Sequence, residues 1–382
     1  MISIQFFGLI ILLLVPYWLI PKQRIRNVLL GIGSLFYIYT LDANALWVVV
    51  ALSSFSYLMG ILIGKNPNQK KPHIAGVLGV LGALIVFKYL GFLEATLNSI
   101  SGLIGAFPRF NIKDIILPLG ISYIVFKHIS YLTDIKWGLV KPGRFGDFLL
   151  YSSMFTIFVA GPIERFERFK PQAEQHRIPF CWNNIDYGFM RIVFGMFKKL
   201  VIADWIGYFT APIWQNPHQY GVWMGLIALL GYSLQIYFDF AGYSDIAIGT
   251  SRLFGFKIME NFANPYLAPS ISQFWRRWHI SLSDWIRDYL FFPLSGFSTK
   301  KIWVMFFVPV VAMALCGLWH GAAWHFILWG VWHGIGLSAY QIWNSIKRKN
   351  KQLAKATKAN WYYYLAVLTN FSFVTLGWWW FR

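Results

Sequence analysis

Long apolar runs follow one another along the chain and are separated by short clusters of basic residues. Many of these runs approach the length of about 20 residues that a helix needs to cross a bilayer. The pattern predicts an all-α polytopic membrane protein with roughly ten to eleven hydrophobic segments, not all of them spanning. The runs lie at residues 2–20, 27–39, 43–63, 74–92, 115–132, 148–160, 187–209, 223–238, 302–317, 322–346 and 361–381.

Three further stretches are expected to depart from a plain spanning helix. Residues 96–107 are too short to span and too apolar for a free loop, so they are predicted to be interfacial or re-entrant. Pro118 and Gly120 break the next run, and broken backbone at membrane depth is tolerated only where protein or water satisfies it. Residues 239–245 carry two acids and two small residues, and we expect a helix break there.

Composition supports a membrane protein. Hydrophobic residues make up 57% of the chain and charged residues 13%, whereas soluble domains carry about 25% charged residues. The net charge of +19 would suggest nucleic acid as a partner of a soluble protein. Here the basic residues lie between apolar runs, as in cytoplasmic loops that follow the positive-inside rule. We therefore expect a lipid bilayer as the partner and no nucleic acid.

The basic clusters also predict the orientation. Lys22, Arg24 and Arg26 follow the first run, and placing them in the cytoplasm puts the N-terminus outside. The first run has no basic region before it and no small-residue cleavage site after it, which favours a spanning helix over a removed signal peptide. The mixed charges of 164–177 fit either an amphipathic cytoplasmic segment or a solvated loop. Residues 347–358, with their basic side chains, are predicted to form a cytoplasmic loop.

His320 is the first candidate for chemistry. It lies at the end of an apolar run and is flanked by Gly317 and Gly321, which allow close backbone approach or entry of a ligand. A neutral imidazole has one donor and one acceptor nitrogen, so it suits a general base that takes a proton from a hydroxyl. A histidine that is simply hydrogen-bonded within the bundle is the open alternative.

His279 lies in a polar stretch that we expect to be one continuous helix. On such a helix Arg276 would lie about one turn before His279, and Ser283 one turn beyond it. Together with Arg277 and Arg287, Arg276 could bind the phosphates of a carrier such as phosphopantetheine or a nucleotide. The alternative is an amphipathic helix in the membrane interface with snorkelling arginines.

A metal site is not predicted, although four histidines lie between residues 271 and 334. On a helix, His325 would be about 140° and His333 about 220° around the axis from His320, so the three would not share a face. His325 and His333 each lie near a tryptophan and are interpreted as packing residues. Cys181 and Cys316 are the two cysteines, and no disulfide or cysteine metal site is expected.

Several motifs resemble those of the membrane-bound O-acyltransferase (MBOAT) family, and in particular its bacterial AlgI-like branch of polysaccharide O-acetyltransferases. The central ones are QFWRRWHISLSDW at 273–285, GLWHGAAW at 317–324 and WGVWHG at 329–334. Other matching stretches are FKY at 87–89, LPLGISY at 117–123, VAGPIER at 159–165, FKKLVIAD at 197–204 and YFDFAGYSDIAIG at 237–249. The resemblance covers nearly the whole chain.

The resemblance implies a helical bundle with broken or re-entrant helices and a central funnel. It implies one domain over 1–382, with N-terminal helices at 1–110, a catalytic core at 111–346, and a basic loop and last helix at 347–382. Relatives typically continue with further helices, so this domain is expected to be truncated or short. His320 matches the family's catalytic histidine, and His279 matches a second functional histidine. Further candidates, for the oxyanion or for support, are Trp319, Trp324, Asp239 and Asp245.

The family also implies the substrates. The donor would be acetyl-CoA or an acyl-carrier thioester, with no permanently bound cofactor and no metal. The acceptor would be an exported polysaccharide, such as alginate, usually reached with a periplasmic partner transferase at a bacterial cytoplasmic (inner) membrane. Peptidoglycan O-acetylation and DltB-like D-alanylation of teichoic acid are alternatives. A transporter without chemistry and an inactive pseudo-enzyme are alternatives of other classes.

Overall fold

The computed structural model describes residues 3–104, 116–296 and 302–382. Within these ranges the protein is helical and contains no strand, which confirms the all-α prediction. The α-helices are α1 Ile4–Leu19, α2 Gln23–Leu41, α3 Ala43–Lys65, α4 Lys71–Leu84, α5 Leu90–Ile104, α6 Ile121–Lys136, α7 Phe145–Ser153, α8 Phe166–Ala173, α9 Trp182–Met196, α10 Asp204–Gln215, α11 Val222–Leu253, α12 Ile271–Trp275, α13 Ile280–Ile286, α14 Phe292–Ser295, α15 Ile302–His320, α16 Trp324–Lys349, α17 Lys351–Ala356 and α18 Asn360–Phe381.

Several helices carry the length and composition of membrane spans. In the described residues, three helices are long and apolar enough to cross a bilayer: Ala43–Lys65, Lys71–Ser101 and Val222–Leu253. Ile4–Leu19 and Val304–His320 are shorter apolar helices. Large apolar side chains on these helices face outwards, among them Leu12 and Trp47. Such an outer surface is stable in lipid and would be costly in water.

Two of the predicted irregular stretches differ from the structure. Residues 96–104 continue α5, and a π-helix at Ile85–Tyr89 joins α5 to α4, so these residues do not form a separate re-entrant segment. Residues 105–107 of the same prediction lie outside the described residues. The expected break at 239–245 is also absent, because α11 continues through it. Ion pairs of Asp239 and Asp245 with neighbouring lysines satisfy these carboxylates without any break in the helical backbone.

The break at Pro118 and Gly120 is confirmed. Gly120 has φ 78°, a left-handed conformation, and α6 begins directly after it. Before the turn, the backbone N–H of Leu119 donates to Asp42 Oδ2 at 3.1 Å. Of the two interpretations of residues 164–177, the amphipathic segment is confirmed. The helix α8 forms within this range and buries its apolar face, which includes Phe166.

The chain divides into two compact units. Unit 1 comprises Met1–Ile192 and Ala247–Met259, and unit 2 comprises Val193–Ile246 and Glu260–Arg382. In unit 1, α2, α3, α6 and α7 pack on one another around a core that includes Ile38 and Phe158. The three-part division at residues 110 and 346 stays a prediction.

In unit 2, the hairpin of α15 and α16 is the most closely packed pair of helices. Glycines make this approach possible. A Cβ atom at Gly317 would collide with the carbonyl oxygen of Phe326, and one at Gly330 would collide with that of Met313. Small residues at such a crossing let two helix backbones come close in a membrane. The crossing fixes the two helices that carry His320 and His333.

Candidate active site

His320 is the last residue of α15, where the chain leaves the helix before α16 begins at Trp324. The three intervening residues are small, which allows the chain to turn sharply after His320. The angles that the sequence predicted between His320, His325 and His333 assumed a common helix. That assumption is wrong, because His320 lies on α15 and the other two lie on α16.

Aromatic rings surround the imidazole of His320. Its ring centroid is 4.8 Å from that of Trp319, 5.1 Å from that of Trp329 and 5.1 Å from that of Phe381. His320 itself is only half-buried, whereas His279 and His333 are 1% and 0% exposed. Among these three histidines, His320 is therefore the one that a substrate reaches most directly.

His279 lies at a break between two short helices, so the predicted continuous helix is wrong. It has φ 42° and forms the N-cap of α13, while α12 ends at Trp275. This left-handed conformation is costly for a residue with a side chain and persists only where the surroundings hold it. The backbone N–H of Ile280 donates to the carbonyl oxygen of Asn261 at 2.9 Å. That bond anchors the break on the segment that precedes α12.

The side chain of Asn261 fixes the imidazole of His279. Asn261 Oδ1 lies 3.1 Å from His279 Nδ1 and accepts a hydrogen bond from Ser281 Oγ at 2.9 Å. Its amide nitrogen Nδ2 donates to Ser244 Oγ on α11 at 3.1 Å. Since Oδ1 can only accept, this network assigns the proton of neutral His279 to Nδ1. His279 Nε2 then carries the lone pair, and it has no hydrogen-bond partner in the described residues.

Burial lowers the pKa of His279 well below its ordinary value, and the neighbouring His320 lowers it further. His279 is therefore a neutral imidazole at pH 7. His320 also interacts electrostatically with His333, so the structure brings the three histidines into one neighbourhood. Within the described ranges no group of three or more histidine, cysteine, aspartate or glutamate side chains is arranged to hold a metal ion.

His333 packs within an aromatic cage. Its ring centroid is 4.9 Å from that of Trp329 and 5.2 Å from that of Trp275. Neither of its ring nitrogens has a hydrogen-bond partner in the described residues. His325 is exposed, and its Nδ1 lies 2.7 Å from the carbonyl oxygen of Trp380. Sequence reasoning interpreted both as packing residues but missed the proximity of His333 to His320.

The three candidate arginines have different surroundings. Arg287 is paired with Asp284 at 2.6 Å and with Asp288 at 2.8 Å. Arg277 donates to Gln273 Oε1 at 3.2 Å. Arg276 is exposed at the end of α12 and has no carboxylate partner within the residues that the structure describes.

A cavity with about 850 Å³ of empty volume lies beside two of these arginines in unit 2. Arg276 and Arg287 line it, together with Ser283, Cys316 and Gln341, and Arg277 does not. The arrangement offers one arginine that is free of carboxylates and a second that shares its charge with two acids. Phosphate groups bind strongly to such guanidinium donors.

The remaining candidate residues, two tryptophans and two aspartates, lie in different surroundings. Trp319 is buried against His320 and lies 6.4 Å from His279, measured between ring centroids. Trp324 is 59% exposed at the start of α16. Asp245 pairs with Lys198 at 2.6 Å, and Asp239 pairs with Lys199 at 2.5 Å.

A sequence model of the MBOAT, membrane-bound O-acyltransferase family, matches residues 138–378. This range contains all of the site residues described above except Trp380 and Phe381. The chain is also similar to "Probable alginate O-acetylase AlgI" of Pseudomonas putida, with 38% identity over 325 residues. That alignment covers 83% of this chain and 65% of the relative, so the chain spans just under two thirds of the relative's length.

Two further relatives act on different acceptors according to their names. The peptidoglycan O-acetyltransferase of Helicobacter pylori is 31% identical over 383 residues, which cover 92% of this chain and 70% of that protein. The teichoic acid D-alanyltransferase of Bacillus subtilis is 30% identical over 393 residues, which cover 98% of this chain and 95% of that protein.

Proposed function

This chain belongs to the membrane-bound O-acyltransferase family, and we propose that it transfers an acetyl group from a cytoplasmic thioester to hydroxyl groups of an exported polysaccharide. The observation that carries the proposal is the half-buried His320 at the end of α15, enclosed by aromatic rings and next to the neutral His279. The alginate O-acetylases among its relatives support acetyl as the group and a polysaccharide as the acceptor.

The proposed reaction is one acyl transfer assisted by a base. His320 accepts the proton of the acceptor hydroxyl while the hydroxyl oxygen attacks the thioester carbonyl carbon. The C–S bond of the resulting tetrahedral species then breaks, and the leaving thiolate takes the proton back from the imidazolium. The products are the O-acyl ester and the free thiol. A nearby N–H donor stabilises the oxyanion, and the indole N–H of the adjacent Trp319 is the proposed donor.

His279 acts on the same step as an orienting acceptor. Asn261 keeps the proton of His279 on Nδ1, so Nε2 is available as an acceptor for a hydroxyl hydrogen or for a protonated His320. Its burial keeps it neutral, so it does not compete with His320 as a cation. Two imidazoles with unequal exposure thus divide the roles of proton transfer and orientation.

The donor is proposed to bind with its phosphates at the cavity of Arg276 and Arg287. Acetyl-CoA and an acylated carrier protein both carry the thioester at the end of a phosphopantetheine arm, so either could place its phosphate at these arginines and deliver the acyl group. We propose that the protein lies in the bacterial cytoplasmic (inner) membrane with its N-terminus outside, and that a periplasmic partner transferase completes delivery to the polysaccharide.

An assay in proteoliposomes tests this function. Purified full-length protein should release free thiol from acetyl-CoA or from an acetylated carrier protein only when a polysaccharide with free hydroxyls is present. The measurements are thiol release and acetyl ester content. Protein-free liposomes are the control, and the absence of thiol release and ester formation with both donors, with and without a periplasmic extract that supplies the partner transferase, would contradict the proposal.

D-alanylation of teichoic acid is the second candidate function. The observation that favours it is the similarity to the teichoic acid D-alanyltransferase of Bacillus subtilis, which extends over 95% of that protein. Peptidoglycan is a further acceptor, by similarity to the Helicobacter pylori relative. The same liposomes, supplied with a D-alanyl carrier thioester or with peptidoglycan strands, distinguish the three. Formation of D-alanyl esters without acetyl esters would contradict the leading proposal and favour D-alanylation.

The arginine cavity gives a prediction about the donor. Arg276→Gln should raise the KM for the thioester donor by about tenfold, the loss expected for one charge-assisted contact of about 1.4 kcal/mol. It should leave kcat nearly unchanged, because the guanidinium contacts the donor equally before and during transfer. Steady-state kinetics with varied donor measure this split.

Arg277→Gln is the matched control for that prediction. It removes the same charge from the next residue, which does not line the cavity, and should change the KM less than about twofold, within the range of ordinary surface changes. Equal effects of the two substitutions would place the donor phosphates elsewhere.

A further inference from the structure

A second cavity lies within unit 1, between α2 and α7, and has about 680 Å³ of empty volume. Its lining combines Arg24, Arg144 and Asp147 with the apolar side chains of Val28 and Ile32. Asn27 Nδ2 donates to Asp147 Oδ1 at 2.9 Å. This bond brings the start of α2, where Arg24 lies, next to the start of α7, where Arg144 lies, so the polar groups gather at one end of the cavity.

The two arginines are suited to an anion. Both are exposed, and neither has an ion-pair partner in the described residues. Arg144 is the N-cap of α7, whose first turn has no side-chain cap. The first N–H groups of a helix have no intrahelical acceptor and attract negative charge. At Gly146, in this first turn, no atom lies near the position that a Cβ would take, so an anion has room to approach the backbone.

Asp147 adds the opposite charge to the same cavity. Its side chain is 4% exposed, and its Oδ2 has no hydrogen-bond partner in the described residues. An acidic residue in the first turn of a helix is favourable by itself. That effect does not explain a buried oxygen without a donor, since buried polar atoms are generally hydrogen-bonded. A ligand with a cationic N–H group would satisfy Oδ2.

The apolar part of the cavity follows one face of α2. Val28, Ile32 and Leu35 are spaced by four and three residues, so they line up along the helix for about 10 Å. Val28 is 53% and Ile32 is 62% exposed. A hydrocarbon chain that extends from a headgroup at the charged end of the cavity would cover this face.

We propose that this cavity binds phosphatidylethanolamine. The phosphate lies between Arg24, Arg144 and the first turn of α7, the ammonium group donates to Asp147 Oδ2, and an acyl chain lies along Val28 and Ile32. A phosphoglycerol headgroup would offer the same phosphate but no cation for Asp147. A choline headgroup has a positive charge but no N–H donor. The combination of two arginines with a buried carboxylate therefore fits the zwitterion with a primary ammonium.

Native mass spectrometry of the delipidated full-length protein tests the site. Phosphatidylethanolamine, phosphatidylcholine and phosphatidylglycerol with identical acyl chains are added separately, and the bound lipid is measured. Phosphatidylethanolamine should bind about tenfold more tightly than the other two, which corresponds to about 1.4 kcal/mol. The readout is lipid retention, so the result does not depend on whether the proposed acyl transfer is correct.

Variants separate the two halves of the headgroup. Asp147→Asn keeps the shape and an acceptor for Asn27, and should reduce phosphatidylethanolamine binding to the level of phosphatidylcholine. The double variant Arg24→Gln/Arg144→Gln should lose binding of all three lipids. Lys22→Gln/Lys141→Gln removes the same number of exposed charges outside the cavity lining and should bind like the unchanged protein. Thermal unfolding checks that each variant is folded.

Three results would overturn the proposal. Equal binding of phosphatidylcholine would exclude the ammonium contact with Asp147. Equal or stronger binding of phosphatidylglycerol would show a site for phosphate alone. Undiminished binding by the folded double arginine variant would show that the lipid lies elsewhere on the protein.

Discussion

Replacement of His320 by Ala is expected to lower kcat for acyl transfer by about 10²- to 10⁴-fold, the contribution typical of a positioned general base. The substitution removes the imidazole that would take the hydroxyl proton and leaves the phosphate contacts of the donor in place. Binding of the thioester donor should therefore change little. Single-turnover transfer in proteoliposomes and equilibrium binding of a non-hydrolysable donor analogue measure the two quantities separately.

His325→Ala is the matched control for this experiment. His325 is an exposed histidine on the same helical hairpin, and its side chain contacts the carbonyl oxygen of Trp380 rather than the rings around His320. Its loss should leave kcat within about twofold, as for other surface substitutions. If His320→Ala retained most of the activity, the base would have to be another group. If neither the unchanged protein nor the variants transferred acyl groups, a transporter without chemistry would account better for the buried polar residues.

The helices and the close backbone approach beside His320 could be predicted from the sequence, because local patterns determine them. Apolar runs near 20 residues predict helices in a membrane, and glycines on both sides of His320 indicate a close backbone approach. The crossing of α15 and α16 confirms that approach at Gly317. In these places a short window of residues contains the physical cause of the structure.

Contacts between distant parts of the chain were not accessible in the same way. Asn261 precedes His279 by 18 residues and nevertheless determines the orientation of its imidazole. The break at His279 depends on that contact, and nothing in the helical periodicity around it indicates the left-handed backbone. The proximity of His333 to His320 likewise depends on where α15 and α16 cross. A buried amide shortly before a histidine with polar neighbours is the signal that could have suggested Asn261.

At residues 239–245, distant contacts likewise made the local prediction wrong, here by removing an expected helix break. Two acids within an apolar run were expected to end the helix, since a lone charge at membrane depth is costly. Lys198 and Lys199 lie more than 39 residues earlier and pair with both acids. Because these ion pairs offset the charge of both acids, α11 continues through residues 239–245 without a break.

The aromatic enclosure of His320 depends on the last helix of the described chain. Phe381, on α18, packs edge-on against His320 and Trp329. In the proposed reaction such aromatic walls would exclude water from the thioester, which favours transfer to an acceptor over hydrolysis. The half-exposed state of His320 fits an opening in this enclosure.

Asn261→Leu is expected to lower kcat by about 10- to 100-fold, by analogy with the loss of a residue that orients a metal-ligating histidine. Leucine has a similar volume but no acceptor, so it removes the partner of His279 Nδ1 and of Ser281 Oγ. His279 could then adopt the other tautomer, with the proton on Nε2, and could no longer accept a hydrogen bond there. Because His279 acts through orientation, the KM for the donor should change much less than kcat.

Asn261→Asp distinguishes this role from simple packing. The carboxylate keeps the shape of the amide and an acceptor for His279 Nδ1, so it should restore kcat to within about tenfold of the unchanged protein, provided that the variant is folded. It should also raise the pKa of the imidazole by its negative charge and shift the pH profile of kcat upwards, a change that a purely structural residue would not produce. If Asn261→Leu and Asn261→Asp lose stability and activity in parallel with no shift of the pH profile, Asn261 serves only to hold the break between α12 and α13.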